Sequence, residues 1–200
     1  MPKQTFLNLP IDKQETLINS AMREFSRAPL HEATIANIVK HAGISRGSFY
    51  QYFEDKEDIF FFILEKHTEK NHEKFISLLK ENDGDLIDAL IKMYKLMLNA
   101  FHTPDYRIYI KNVFLNMNHK IANTIINNED LDNLINHRAE IIRFVNKDKL
   151  HITDEQELLH FLSVTDAITL LNLIQDFALE LSFEESLQNY TAQINLLIKN

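Results

Sequence analysis

Glycine is so scarce in this chain that each one is expected to mark a turn or a close approach. Only three occur in 200 residues, and two of them, Gly43 and Gly47, fall within one stretch, Thr34 to Lys56 (TIANIVKHAGISRGSFYQYFEDK). Glycine is the residue used where the backbone turns sharply or must approach something closely. Ile35, Ile38, Val39 and Ala42 precede Gly43 at helical intervals. Gly43 therefore reads as the left-handed residue just past a helix end. Ser45 reads as the N-cap of a second helix, on which Phe49 and Phe53 stand four residues apart on the inner face. A third helix is expected from Lys56, capped by Asp55.

Two short helices joined by a tight glycine turn match the helix-turn-helix motif. In that motif the second helix enters the DNA major groove and its first residues reach base edges. Here those residues are Arg46, Gly47 and Ser48. An arginine there can pair in bidentate fashion with guanine O6 and N7. Gly47 has no side chain to hold the backbone off, and Ser48 can bond a base or a phosphate. The hydroxyls of Thr34, Tyr50 and Tyr52 are expected at phosphates, as are Lys56 at the next helix start and, less directly, Lys40. Ser45 completes the expected DNA-binding set.

A net charge of −8 runs against such a reading until it is divided along the chain. Residues 1–66 carry eight basic and nine acidic side chains, and the rest of the chain thirteen and twenty. Between residues 23 and 53 four cations (Arg23, Arg27, Lys40, Arg46) face two anions (Glu24, Glu32). Affinity for DNA follows local cations rather than the total.

Along the chain, residues 1–10 read as a loose arm ending at Pro10. An amphipathic helix is expected from Asp12 to about Ala28, with Leu17, Ile18, Ala21, Met22 and Phe25 on one face, stopped by Pro29. A long helix from Lys56 to about Asn82 opens with the apolar run Ile59 to Leu64, and Gly84 breaks it. Helices follow from Asp85 to His102, closed by Thr103-Pro104, from Asp105 to Met117, and from Lys120 to Val145 with an interruption near Asn127-Asn128. Lys147 to Ile152 is a polar connection. Thr153 with Gln156 reads as a capping box for a helix reaching about Leu181, so apolar all round that it is expected to be buried and to meet a partner subunit. A last helix covers Glu184 to Lys199. The chain is all-α, with about nine helices and no strand pattern.

Other chemistry finds little support. There is no cysteine, so disulfides and thiolate sites are absent, which suits a reducing cytoplasm. No signal peptide pattern opens the chain, and the run at Ile59 to Leu64 is too short to span a bilayer. The nine histidines show no HExxH spacing, and three glycines cannot build a Walker loop or a dinucleotide fingerprint. No metal, cofactor, membrane or enzymatic activity is expected.

The sequence resembles the tetracycline-repressor (TetR-like) family of bacterial regulators. The likeness rests on Thr34-Ile35, Ile38, Ala42-Gly43-Ile44-Ser45, Arg46-Gly47-Ser48, Phe49-Tyr50, Tyr52-Phe53 and Lys56-Glu57-Asp58-Ile59, with Phe25 nine residues before Thr34. It covers about the first quarter of the chain. Pro29-Leu30 departs from the family's glycine-aromatic pair, and Val39 from a frequent alanine. The resemblance implies an N-terminal helix-turn-helix DNA-binding domain (1–55) and a C-terminal helical effector-binding and dimerisation domain (56–200). It also implies a cytoplasmic homodimer on a near-palindromic operator in double-stranded DNA, released by a small molecule. Aromatic and polar residues on the apolar helices are the effector-binding candidates: Tyr94, Phe101, Tyr106, Tyr109, His137, Phe161, Thr165, Asp166 and Asn172. Asp166 is the sharpest, since a carboxylate on a largely apolar helix needs a partner: a ligand cation, a basic residue of the same chain, or the other subunit. Two alternatives stand beside the repressor: an architectural or division-control protein on the same scaffold that recruits a protein partner, and an all-α enzyme with a coincidental motif.

Overall fold

A computed structural model of the protein describes residues 1–101, 103–115 and 131–198. Among these residues there are ten α-helices and no strand. They are α1 (Gln4–Leu7), α2 (Ile11–Arg27), α3 (Ile35–Ala42), α4 (Arg46–Tyr52), α5 (Lys56–Glu81), α6 (Leu86–Ala100), α7 (Pro104–Leu115), α8 (Leu131–Phe144), α9 (Glu155–Leu179) and α10 (Phe183–Leu196), with a short 3-10 turn at Lys147–Leu150. The first part of the helix expected from Lys120, including Ile121 and Ile125, lies outside the described residues.

The helices gather into two compact units. One comprises Met1–Thr68 and Thr103–Ile126, the other Glu69–His102 and Asn127–Asn200. Compactness thus divides the chain differently from the expected functional boundary at 55/56. The first half of α5 belongs to the first unit, and α7 packs on α2.

The first unit is built on aromatic packing. Phe25 meets Phe60 edge to face at 5.1 Å, and Phe60 meets Tyr109 at 5.9 Å. Phe6, Phe49 and Phe53 are wholly buried. The apolar run at the start of α5 is buried residue by residue from Ile59 to Leu64, as expected for a helix with neighbours on every side. Residues 1–10 are not a loose arm. Phe6 has its ring 4.8 Å from that of Phe53 and 5.5 Å from that of Phe62. One buried aromatic is enough to order a single turn of helix, and nothing in the periodicity of so short a segment announces it.

In the second unit α10 packs on α6 and α9. Tyr94 of α6 and Tyr190 of α10 stack at 4.0 Å, both 1% exposed. Gly84 has φ +71° and its backbone abuts the end of α8: the Asn146 amide donates to the Gly84 carbonyl at 2.9 Å. A Cβ on Gly84 would lie 2.5 Å from the Phe144 carbonyl oxygen.

Three further expectations are corrected. The N-cap of α9 is Asp154, whose carboxylate accepts from the Glu157 amide at 2.7 Å, so the Thr153–Gln156 box is out by one residue. Asp is as good a cap as Thr, and the register of α9 selects it. A capping box does occur, at Ser182 and Glu185, opening α10. Pro104 does not close α6 but starts α7, where a missing amide proton costs nothing. Finally, α9 is not buried all round: Val164, Leu171 and Leu179 are 47%, 49% and 66% exposed.

Candidate nucleic-acid interface

The turn between α3 and α4 is made as its residue types require. Gly43 has φ 67° and ψ 28°, and its amide closes the last turn of α3 on the Val39 carbonyl. A Cβ there would meet nothing within 4 Å, so the sign of φ alone calls for glycine. Ser45 is extended, and its Oγ accepts from the Ser48 amide at 3.0 Å, starting α4. The Ser45 and Ser48 hydroxyls lie 2.9 Å apart. A Cβ on Gly47 would meet only Ser45 Oγ, at an ordinary 3.6 Å. The fold therefore does not require glycine at 47, which leaves a bare, exposed backbone at the head of the helix.

On the outer face of α4, Arg46 and Tyr50 form a pair. The guanidinium donates to the Tyr50 hydroxyl at 3.2 Å, four residues on, and both side chains are exposed. Among the described residues one of its five donors is used, so the fork keeps its bidentate capacity. The Tyr50 ring rests edge-on against buried Phe49 at 5.7 Å, which limits its rotamers. Lys40, at the end of α3, is exposed, and Tyr52 is half-buried beside Phe6.

Two of the expected phosphate contacts also bond within the chain. The Lys56 ammonium donates to the carbonyls of His31 and Ala33, each at 2.9 Å, and so pins the loop between α2 and α3. The Thr34 hydroxyl caps α3 by accepting from the Asn37 amide at 3.4 Å, and it lies 3.5 Å from a Glu24 oxygen.

Glu24 is the residue that sequence reasoning counted as mere charge. It is 2% exposed at the end of α2. Its carboxylate receives two bonds from Arg27 (2.7 and 2.8 Å), one from the Thr34 amide (2.8 Å) and two from the Asn37 amide group (both 3.1 Å). These donors, Arg27 first, hold its pKa at about 2 against an ordinary 4.5. The carboxylate thereby joins α2 to the start of α3. The signal was present: Glu24 stands seven residues after Leu17, on the buried face of α2. Lys3 and Thr5, which reach the last carbonyls of α4, carried no such signal.

The effector candidates are distributed over both compact units. Tyr106 and Tyr109 belong to the first unit and the other seven to the second. Tyr109 is fully buried, and its hydroxyl has no hydrogen-bond partner among the described residues. The half-buried Tyr106 has its ring 5.1 Å from that of His67. Tyr94 bonds Ser186 at 2.9 Å, and burial pushes its phenol up to about 12. Phe101 packs on Phe177. Thr165 and Asn172 are buried and bonded, Thr165 to the Leu162 carbonyl and Asn172 to the Ile168 carbonyl and Gln193. His137 stacks on His72 at 4.0 Å, and burial, then His72, lowers its pKa. Phe161 is half-buried. Asp166 is not within the core of α9: its side chain is 66% exposed and pairs with Arg138 at 2.9 Å. Its partner is thus a basic residue of the same chain.

An all-helical chain with a capped helix-turn-helix and an outward Arg46–Tyr50 pair belongs to the class of helix-turn-helix DNA-binding proteins. Comparison with known proteins gives the family. Residues 17–62 match the model of bacterial regulatory proteins of the tetR family, and residues 85–199 match that of the tetracyclin repressor-like C-terminal domain. The chain belongs to the TetR family of DNA-binding transcriptional regulators, a non-enzymatic class in which some members respond to ligands.

The HTH-type transcriptional repressor NemR of Escherichia coli (strain K12) is 33% identical over 67 residues, 34% of each chain. The HTH-type regulator YdgC of Bacillus subtilis (strain 168) is 36% identical over 95 residues, 48% of this chain and 49% of that one. The chain thus spans between a third and a half of the length of these curated relatives. Among solved structures, reduced E. coli NemR superposes with a TM-score of 0.67 at 22% identity, covering 94% of this chain and 98% of the other. FadR of B. subtilis in complex with stearoyl-CoA gives 0.72 at 16%, covering 92% and 97%. At these identities the likeness concerns the fold.

Proposed function

We propose that the protein is a cytoplasmic homodimeric repressor that holds a near-palindromic operator through α4 of each protomer and leaves it when a small organic molecule binds. Residues 1–55 are the DNA-binding part and 56–200 the effector and dimerisation part. Arg46 and Ser48 face bases, with Gly47 letting the backbone approach. Tyr50, Tyr52, Lys40 and Ser45 face the sugar-phosphate backbone, while Thr34 and Lys56 hold the motif together.

The observation that carries the dimer is the outer face of α9. By length and composition this helix is apolar enough to cross a membrane, yet 28% of its most apolar stretch is buried within the chain. Val164, Leu171 and their helical neighbours make a stripe at intervals of three and four residues. A second copy of the same stripe would cover it with isologous symmetry. Two recognition helices separated by about one helical turn of DNA, roughly 34–36 Å, would then meet successive major grooves.

Effector control is supported by α7. Its Tyr109 hydroxyl is a buried polar atom lacking a partner among the described residues. On the same helix the Asn112 amide donates to the carbonyls of Phe25 and Ser26 at 2.8 and 3.2 Å, at the end of α2. A ligand that pairs with Tyr109 would act on the helix that clamps α2, and would shift the population by its preference for one state. This chain has no cysteine, so its response does not pass through thiol oxidation.

The test is selection of duplexes from a random pool, followed by sedimentation of the free protein and of its complex. The expected result is a near-palindromic site bound by two protomers, with organic ligands found by thermal stabilisation releasing it. Capture of a protein partner with no ligand response would favour the architectural reading instead.

A further inference from the structure

A seven-residue helix has little to hold it in place, and the last four carbonyls of any helix lack partners within it. In α4 these are the carbonyls of Phe49, Tyr50, Gln51 and Tyr52. The Phe53 amide takes the first at 2.9 Å. The other three are taken by two residues of the N-terminal segment. Lys3 Nζ donates to Tyr50 O at 2.9 Å, the Thr5 hydroxyl donates to Gln51 O, and the Lys3 amide donates to Tyr52 O at 2.8 Å. The segment is itself anchored, because Phe6 is wholly buried against Phe53, Phe62 and Tyr52. A lysine ammonium at a helix C-terminus also meets the negative end of the helix dipole.

We propose that the segment from Lys3 to Phe6 is a brace for the recognition helix, in which Lys3 and Thr5 are positioning residues that set where Arg46 and Tyr50 stand against DNA. This inference rests on the reading that α4 is the DNA-contacting helix. The bonds lie at the surface, and water replaces such partners at small cost to folding. What water does not replace is the fixed point. A two-turn helix with three carbonyls tied to an anchored segment cannot roll or slide, so the Arg46 fork stays aimed at one base pair. Losing the ties therefore costs orientation more than stability, and orientation is what base discrimination needs.

The experiment uses the whole chain and a duplex selected by the wild-type protein. The K3M/T5V double variant keeps Phe6 and the Lys3 amide but loses both side-chain donors. Binding is followed by fluorescence anisotropy across a salt series and a panel of single base-pair changes, with Tm measured beside it. The expected result is ~tenfold weaker binding to the selected duplex, reduced discrimination at the base pair that R46A identifies, an unchanged salt slope and a nearly unchanged Tm. T5S in the wild-type background should retain discrimination. Full affinity and discrimination in the double variant would overturn the proposal. So would a salt slope reduced by about 0.9, the mark of one lost phosphate contact, since Lys3 would then touch DNA itself. Loss of binding in proportion to loss of Tm, equal on all duplexes, would make the segment a mere stabiliser. If the wild-type protein selects no duplex, or R46A binds and discriminates as wild type does, the reading of α4 falls and the brace with it.

Discussion

Glu24 concentrates more of the motif's chemistry than any residue that touches solvent. Its folded pKa of about 2 lies below the ordinary 4.5, so its charged form is favoured by folding. The corresponding stability is complete above about pH 4.5 and is lost as pH falls from there toward 2. That span corresponds to on the order of 3 kcal/mol. Glu24→Gln should destabilise the protein by about 2–3 kcal/mol at neutral pH and flatten the acid limb of stability against pH, as denaturant titrations at stepped pH would show. Arg46→Ala should leave stability unchanged and cost about 1–3 kcal/mol in operator binding, with preference relaxed at one base pair; equal discrimination in a competition series would remove Arg46 from the site. Tyr109→Phe removes a buried hydroxyl that has no partner among the described residues, so Tm should hold or rise while the proposed response to an effector weakens. A variant that still releases the operator at the wild-type ligand concentration would take Tyr109 out of the sensor.

Among the elements, the two left-handed glycines separate backbone conformation from crowding. At Gly43, at the end of α3, an added Cβ would find open space among the described residues, whereas at Gly84, after α5, it would be pressed against Phe144 and Asn146. Alanine at 43 should cost about 1–2 kcal/mol for the positive φ alone. Alanine at 84 should cost on the order of 2–4 kcal/mol, because a Cβ must also push backbone aside. Urea titration of both variants decides this; equal costs would mean that the Gly84 contact yields easily. By the same distinction Gly47, helical and uncrowded, is not required by the fold, which is consistent with its proposed part in DNA approach.

On the scale of the whole molecule, the decisive surface is the apolar stripe of α9. Leu171 is half exposed in the single chain, so Leu171→Glu should leave the protomer folded and place a charge in the proposed interface. Sedimentation should then show a monomer where the proposed arrangement makes the wild-type protein a dimer, and operator affinity should fall steeply, since in that arrangement each half-site holds one protomer. A dimer that survives the charge would move the interface elsewhere. The acidic balance beyond residue 66 disfavours DNA at that part of the chain, so on the proposed reading the cations near α3 and α4 should govern the encounter.

Local rules sufficed for the motif. A glycine at a helix end, a serine before the next helix and aromatics four residues apart each act within a few residues, and so Gly43, Ser45, Phe49 and Phe53 were legible before any fold was in hand. The helical periodicity of α2, α5 and α6 was legible for the same reason. Partnership across long separations was not. That Lys56 reaches the carbonyls of residues 31 and 33, that Thr5 meets α4, that Glu24 joins two helices and that Asp166 pairs with Arg138 on the outside of α9 depend on where distant segments meet. Side-chain type said that Asp166 needed a partner, position on the buried face of α2 pointed the same way for Glu24, and nothing local did so for Thr5; in each case only the packed chain decided which group it was, because a hydroxyl, a carboxylate or an ammonium bonds whichever group tertiary contact places within about 3 Å.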